Sequence, residues 1–189
     1  MEYEHNGYRA GTGWDIHKLV EGRQLVLGGV VIPAEKGCEG HSDGDAVTHA
    51  VIDALLGAAG LPDIGTQFPD TDPSLEGISS MVLLDRTYDM FCESYRVLNV
   101  DVTVVLQEPK LGQYKETMSH NIARMLDIPS ENVSIKAKTA EHMLGELGTG
   151  DAVMAMAAVM LRKYDTSSRS SDGQSEHHHH DHKGKKHDK

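Results

Sequence analysis

Cysteine is nearly missing from this chain of 189 residues: Cys38 and Cys92 stand alone, outside any C-x-x-C pair. That excludes a disulfide framework and suits a reducing compartment. Long apolar runs are missing as well. None approaches the roughly 20 residues that span a bilayer, and the N-terminus has no secretory apolar region. The sequence therefore predicts a soluble chain with no membrane partner. Positive charge is also short, with 18 Lys and Arg against 29 Asp and Glu, a formal net charge of −11. From Asp165 onward, five acidic residues (Asp165, Asp172, Glu176, Asp181, Asp188) balance five basic ones (Arg169, Lys183, Lys185, Lys186, Lys189). The whole excess thus lies in residues 1–164. An acidic body excludes nucleic-acid backbone binding, which needs a basic surface. If the ligand is an anion, bound cations must offset the repulsion.

What is present reads as one domain over 1–164, long enough for a sizeable core. A polar tail follows over 165–189. The tail cannot bury apolar surface and is expected to be disordered. Its His177–His180 cluster, with His182 and His187, reads as solvated linker or expression remnant in preference to a metal store.

The body is organised around the stretch from Gly40 to Gly57. It opens as a loop crowded with His and Asp and turns into a helix, with Ser42 and Asp45 spaced as a capping box. Val47, Val51, Ala54, Leu55 and Ala58 form the stripe that packs on a core, with His49 and Asp53 roughly opposite. Before it, Tyr8–Trp14 reads as a strand continued by Asp15-Ile16-His17. Leu25–Leu27 and Val30–Ile32 form a hairpin about Gly28-Gly29. After it, Leu61–Pro73 is a loop crowded with prolines and aspartates. A helix is expected over Gly77–Tyr95, a strand over Val97–Leu106, a helix over Lys115–Leu126, and strands over Val133–Ala137 and Ala152–Leu161. That order predicts an α/β (α+β) two-layer sandwich: a mixed four-stranded sheet plus the N-terminal hairpin, with helices on one face.

Alternate side chains of a strand share a face, so Asp15 and His17 project together and can reach one metal ion. His49 completes a three-ligand set with an open fourth position, the pattern of a catalytic zinc. The plainer alternative, Asp15 as a turn cap and His17 as a satisfied core histidine, stays open on spacing alone. Backbone N–H groups at the helix start, with His41 and Ser42, suit a phosphate oxygen. The carboxylates between Asp63 and Asp72 suit substrate hydroxyls or a divalent cation. Lys138-Thr139-Ala140-Glu141, at a strand end, offers a cation, a hydroxyl and a carboxylate. Together these suggest two metals and a polyphosphate.

The same residues carry a family resemblance. G-x-G-W-D-I-H at Gly11–His17, H-S-D-G-D at His41–Asp45 and L-P-D-I-G at Leu61–Gly65 come first. F-P-D-T-D at Phe68–Asp72, L-Q-E-P-K at Leu106–Lys110 and K-A-K-T-A-E at Lys136–Glu141 follow. The chain resembles the 2-C-methyl-D-erythritol 2,4-cyclodiphosphate synthases of non-mevalonate isoprenoid biosynthesis, in the family's order from Gly11 to Leu161. The resemblance implies a homotrimer with active sites at subunit interfaces, in a bacterial cytoplasm or, after loss of a transit peptide, a plastid stroma. It implies zinc on Asp15, His17 and His49, and Mg²⁺ or Mn²⁺ on Glu141. His41 and Thr139 would steady the transition state, and Ser42 would touch phosphate. Asp63, Ile64 and Gly65 would contact the methylerythritol part, beside a loop carrying Phe68, Asp70 and Asp72. Leu106, Pro109, Lys110 and Leu111, with Ala137 and Lys138, would form a cytosine pocket. The implied reaction cyclises 4-diphosphocytidyl-2-C-methyl-D-erythritol 2-phosphate and releases CMP. Trp14, Thr12, Lys138, Thr149 and Met156 depart from common family residues; the last two imply a more apolar central trimer cavity. A metal store and a two-metal nucleotide-diphosphate hydrolase are the competing readings.

Overall fold

The computed structural model describes residues 7–164; the histidine cluster from His177 onward lies outside the described residues. The first strand, β1 (Tyr8–Glu21), runs four residues past the expected end at His17. It is followed by β2 (Leu25–Leu27), β3 (Val30–Ile32), β4 (Lys36–Cys38), α1 (Ala46–Ala59) and α2 (Ile64–Gln67). Then come α3 (Ser80–Asp89), β5 (Tyr95–Val105), α4 (Lys115–Met125), β6 (Val133–Lys138), α5 (Glu146–Thr149) and β7 (Ala152–Lys163). The main sheet has the order β4-β1-β7-β5-β6, and β2 and β3 pair separately. Only β5 and β6 run parallel among these pairs, so the sheet is mixed. The expected four strands are all there, and β4 is a fifth. Its three residues pair with Leu19–Glu21 of β1, too short to show any periodicity.

The second expected helix is also corrected. It does not run over Gly77–Tyr95: Ser79 caps it by accepting the Met81 N–H, and it ends at Asp89. The chain then turns so that Tyr95 can open β5.

Helices cover one face of the sheet. The glycines of β1 explain how closely. A Cβ on Gly13 would lie 2.3 Å from the Ala50 carbonyl oxygen, and one on Gly11 2.0 Å from that of Ala54. The α1 backbone therefore rests directly on β1, where any larger residue would lift it. Ten of the fourteen residues of α1 are buried, including Ala46, Ala50, Ile52 and Leu56 beyond the expected stripe. It is the central helix of the fold, enclosed by sheet and α3, not a surface helix with one apolar face. Val100, Val102 and Val104 of β5 point into the same core, as their alternation requires.

The cap of α1 differs from expectation. Asp45, not Ser42, is the N-cap. Its wholly buried carboxylate accepts from Thr48 N (2.9 Å), Thr48 Oγ1 (2.7 Å), Gly28 N (2.8 Å) and Gly29 N (2.7 Å). Gly28 and Gly29 both hold positive φ, 56° and 69°, the turn that matches the twist of a two-residue hairpin. One carboxylate thus caps the helix and locks the β2–β3 turn against it. Burial pushes this carboxyl's pKa up, with the four donors pulling against the rise. The opposite face of the sheet carries exposed Trp14, Ile16 and Met156, with Trp14 directly across from Met156 in register. No described helix is long and apolar enough to cross a membrane.

Candidate metal and phosphate site

Gly13, Asp15 and His17 share the helix-facing side of β1, and His49 comes one residue before Ala50 in the turn of α1 that rests on Gly13. Close packing at Gly13 therefore delivers His49 to Asp15. Asp15 Oδ2 lies 3.0 Å from His17 Nδ1 and 3.1 Å from His49 Nδ1, while Oδ1 accepts the Ile16 N–H. The two imidazole rings are 5.3 Å apart between centroids. All three ligand atoms fall within 4.8 Å of one another.

Around a tetrahedral ion with ligand distances of about 2.0–2.1 Å, neighbouring donors stand about 3.3 Å apart. The observed separations come close to that. His17 Nδ1 is buried and, although near Asp15, is not placed to make a hydrogen bond. An unsatisfied buried nitrogen beside a carboxylate is what a cation resolves, so these residues fit a metal ion. Burial opposes ionisation of Asp15, but the two imidazoles outweigh it and hold its carboxyl well below the usual range. For His49, burial pulls the pKa down, and Asp15, with Asp45 and Asp43 behind it, raises it on balance.

The triad borders a cavity of about 300 Å³ lined by His17, His49, His41, Ser42, Ile64, Gly65, Phe68 and Asp70, closed by Leu75, Ile78 and Leu83. Arg23 holds the approach loop by donating to the carbonyls of Cys38 (3.1 Å), Gly40 (2.9 Å) and Ser42 (3.3 Å). Ser42 Oγ lies 3.2 Å from His49 Nε2. Asp53 Oδ1 accepts the Ile64 N–H at 2.8 Å, tying α2 to α1 one turn beyond His49.

Other expected ligands fall elsewhere. Asp63 and Asp72 cap short helical turns, accepting from Thr66 N and Ser74 N at 2.9 Å each, and neither lines this cavity. Pro109 and Lys110 line a separate, larger cavity of about 860 Å³ with Gln107, His142, Lys36 and Thr149. Leu106 and Leu111 are core residues. Thr139 Oγ1 donates to Glu141, which sits at φ 50° and begins a run of left-handed residues through His142 and Leu144. Ala137 and Lys138 lie on β6, at the sheet edge away from β1. Sequence reasoning missed Ser80, whose Oγ lies 2.8 Å from His49 Nε2. It missed His142 too. Neither stands in a motif that marks it.

The YgbB family model matches residues 8–162. The 2-C-methyl-D-erythritol 2,4-cyclodiphosphate synthase of Desulfosudis oleivorans is 50% identical over 167 residues, 88% of this chain and 98% of that one. Among solved structures, the bifunctional IspDF of Campylobacter jejuni superposes with a TM-score of 0.79 at 40% identity. It matches 84% of this chain, which spans only 43% of that longer one. A CDP complex of IspF from Plasmodium falciparum superposes at 0.73 with 35% identity, over 86% of this chain and all of that one. The chain belongs to the YgbB family, that of the 2-C-methyl-D-erythritol 2,4-cyclodiphosphate synthases.

Proposed function

We propose that this chain converts 4-diphosphocytidyl-2-C-methyl-D-erythritol 2-phosphate to 2-C-methyl-D-erythritol 2,4-cyclodiphosphate and CMP. The observation that carries the reading is the convergence of Asp15, His17 and His49 beside a cavity that His17, His41, Ser42 and His49 line, in a chain half identical to such a synthase. An oxygen of the substrate's 2-phosphate attacks the β-phosphorus. The bond from that phosphorus to the α-phosphate oxygen breaks, and CMP leaves with the electron pair. No protein nucleophile is required, so the work is folding one flexible anion on itself and neutralising its charge. Zinc on Asp15, His17 and His49, and Mg²⁺ or Mn²⁺ on Glu141, supply positive charge to the phosphate oxygens when bound. A single exposed carboxylate suits Mg²⁺, which keeps most of its waters.

His41 and Ser42 hold phosphate oxygens at the cavity mouth, and Thr139 steadies the transition state from the other side. Ile64 and Gly65, positioned by Asp53 and Asp63, contact the methylerythritol part, and the segment with Phe68, Asp70 and Asp72 flanks it. Pro109 and Lys110, with Ala137 and Lys138, frame the cytosine, in keeping with the larger cavity that Pro109 and Lys110 line, and Leu106 and Leu111 anchor that segment in the core.

The assembly is a homotrimer whose sites lie between subunits. Asp15 is on β1 and Thr139 follows β6, with β7 and β5 between them. Three strand spacings separate them by about 14 Å, too far for the two sets to act on one diphosphate within a single copy. Exposed Trp14, Ile16 and Met156 on the uncovered sheet face support burial against other copies.

The test is to incubate purified chain with the cytidyl substrate and follow CMP by chromatography and phosphorus by NMR. A cyclic product supports the proposal, while a linear phosphate would assign a hydrolase instead. Asp15→Ala and His49→Ala are each expected to abolish turnover while leaving the chain folded. Retained turnover in either variant removes the metal assignment.

A further inference from the structure

The two ring nitrogens of His49 face different partners. Nδ1 faces Asp15, whereas Nε2 lies 2.8 Å from Ser80 Oγ and 3.2 Å from Ser42 Oγ. Ser80 is wholly buried, and its hydroxyl donates to Asp43 Oδ1. The carboxylate of Asp43 also accepts Ser80 N–H at 3.0 Å and Asp45 N–H at 3.3 Å. A carboxylate only accepts, and a serine hydroxyl has one hydrogen. With that hydrogen given to Asp43, Ser80 Oγ can meet Nε2 only as an acceptor. The neutral ring must then carry its hydrogen on Nε2, which leaves the lone pair on Nδ1. Ser42 does not decide the matter, since its own hydroxyl can either donate or accept at 3.2 Å. With an ion on Nδ1 every contact is satisfied, whereas the opposite tautomer, though it lets Nδ1 donate to Asp15 across 3.1 Å, sets two lone pairs 2.8 Å apart or requires Ser80 to release Asp43. Backbone hydrogen bonds from Asp43 N to Ile78 O (3.1 Å) and Gly77 N to His41 O (2.9 Å) hold the two segments together, so Ser80 has no freedom to retreat.

We propose that Asp43 and Ser80 are positioning residues that fix His49 in its Nε2–H tautomer, aiming the Nδ1 lone pair at the ion shared with Asp15 and His17. This rests on the metal reading above and extends it to the residues behind the ligand. Partners that orient a ligating imidazole typically change metal affinity 10–100-fold when lost. The assignment makes the H-S-D-G-D motif part of the metal site even though Asp43 touches no ion.

Two measurements test it. Two-bond ¹H–¹⁵N correlation spectra of the zinc-loaded full chain report the tautomer directly. Nε2–H at His49 is expected, and Nδ1–H overturns the proposal without any variant. Zinc affinity by chelator competition is then measured for the parent chain, Ser80→Ala, Ser80→Thr, Asp43→Asn and Asp15→Ala. Ser80→Ala and Asp43→Asn are expected to weaken zinc about 10–100-fold, and Ser80→Thr, which keeps the hydroxyl, to recover most of it. If Asp15→Ala loses zinc while Ser80→Ala keeps it within twofold, the positioning role fails and the metal site stands. If Asp15→Ala binds as many zinc ions per chain as the parent, with unchanged affinity, the metal reading itself fails and takes this proposal with it.

Discussion

Gly13→Ala isolates the packing that builds the site, because it adds one methyl group outside the proposed ligands. The new Cβ would stand 2.3 Å from Ala50 O and 2.7 Å from Ala54 N, both backbone atoms of the central helix. An ordinary carbon–oxygen contact begins at about 3.3 Å, so α1 must rise from β1 by about 1 Å at the turn beside His49. Overpacking of this kind costs about 1–3 kcal/mol. For a domain of this size that lowers the melting temperature by about 2–4 °C per kcal/mol, roughly 2–12 °C in all. The same rise moves His49 away from Asp15 and His17. Sites of this sort tolerate about 0.5 Å before function suffers, so zinc affinity is expected to fall at least about tenfold. Circular dichroism melts and chelator competition on the same preparation read both effects. Gly57→Ala on the same helix is the control. No atom lies within 4 Å of its added Cβ, so it is expected to stabilise by about 0.5–1 kcal/mol and leave zinc alone. A Gly13→Ala chain with unchanged melting and unchanged zinc affinity would refute the account of how β1 and α1 make the site.

Asp45→Ala strips the acceptor from Thr48 N, Thr48 Oγ1, Gly28 N and Gly29 N together. At about 1–3 kcal/mol per buried donor left unpaired, urea unfolding is expected to show a loss of at least about 3 kcal/mol; a loss below about 1 kcal/mol would mean the hairpin turn is held by other contacts. Cys38 is fully buried with its thiol pushed up to about 12 by burial, while Cys92 is partly exposed. A thiol reagent near neutral pH is therefore expected to titrate one thiol in the folded chain and two after unfolding, and rapid labelling of both would contradict the packing. Glu141→Gln is expected to raise the Mg²⁺ concentration for half-maximal turnover about tenfold or more, as for loss of one charge-assisted contact, with zinc content unchanged. An unaltered Mg²⁺ titration would remove Glu141 from that role.

Elements whose side chains repeat with the backbone were legible from sequence. Val100, Val102 and Val104 announced β5, and Gly28-Gly29 between two apolar triplets announced the hairpin. The short strand β4 was not, because three residues cannot display a period and its pairing depends on where β1 extends past His17. The end of the second helix was hidden for a related reason. Residues 90–94 are compatible with helix, yet the chain turns there so that Tyr95 pairs with Lys163 across the sheet. The triad itself was half legible: strand alternation put Asp15 and His17 together, but nothing in one dimension shows that α1 presses on Gly13. Ser79 and Ser80 make the limit plain. Two adjacent serines differ in that one caps α3 and the other is buried against His49. Their sequence context is the same for both.

The H-S-D-G-D run divides its polar groups between architecture and chemistry. Read from sequence, His41 and Ser42 were the candidates to touch a phosphate, and Asp45 belonged to the helix cap. In the fold, Asp45 is wholly occupied by four internal donors and Asp43 by three, so neither carboxylate is available to an anion or a cation. Their donors come from the hairpin, from α1 and from the start of α3, the three elements that must meet around His49. The half-buried Asp43 thereby holds Ser80 against one imidazole while the buried Asp45 caps the helix that carries it, and His41 and Ser42 remain on the cavity wall. This division resolves the tension between an acidic body and an anionic ligand. On the proposed reading, Asp43 and Asp45 are committed to internal donors and Asp15 to the imidazoles that would hold a cation, while Asp70 stays exposed on the cavity wall. A cation at the triad, and not a basic patch, would then offset the negative charge beside the phosphates.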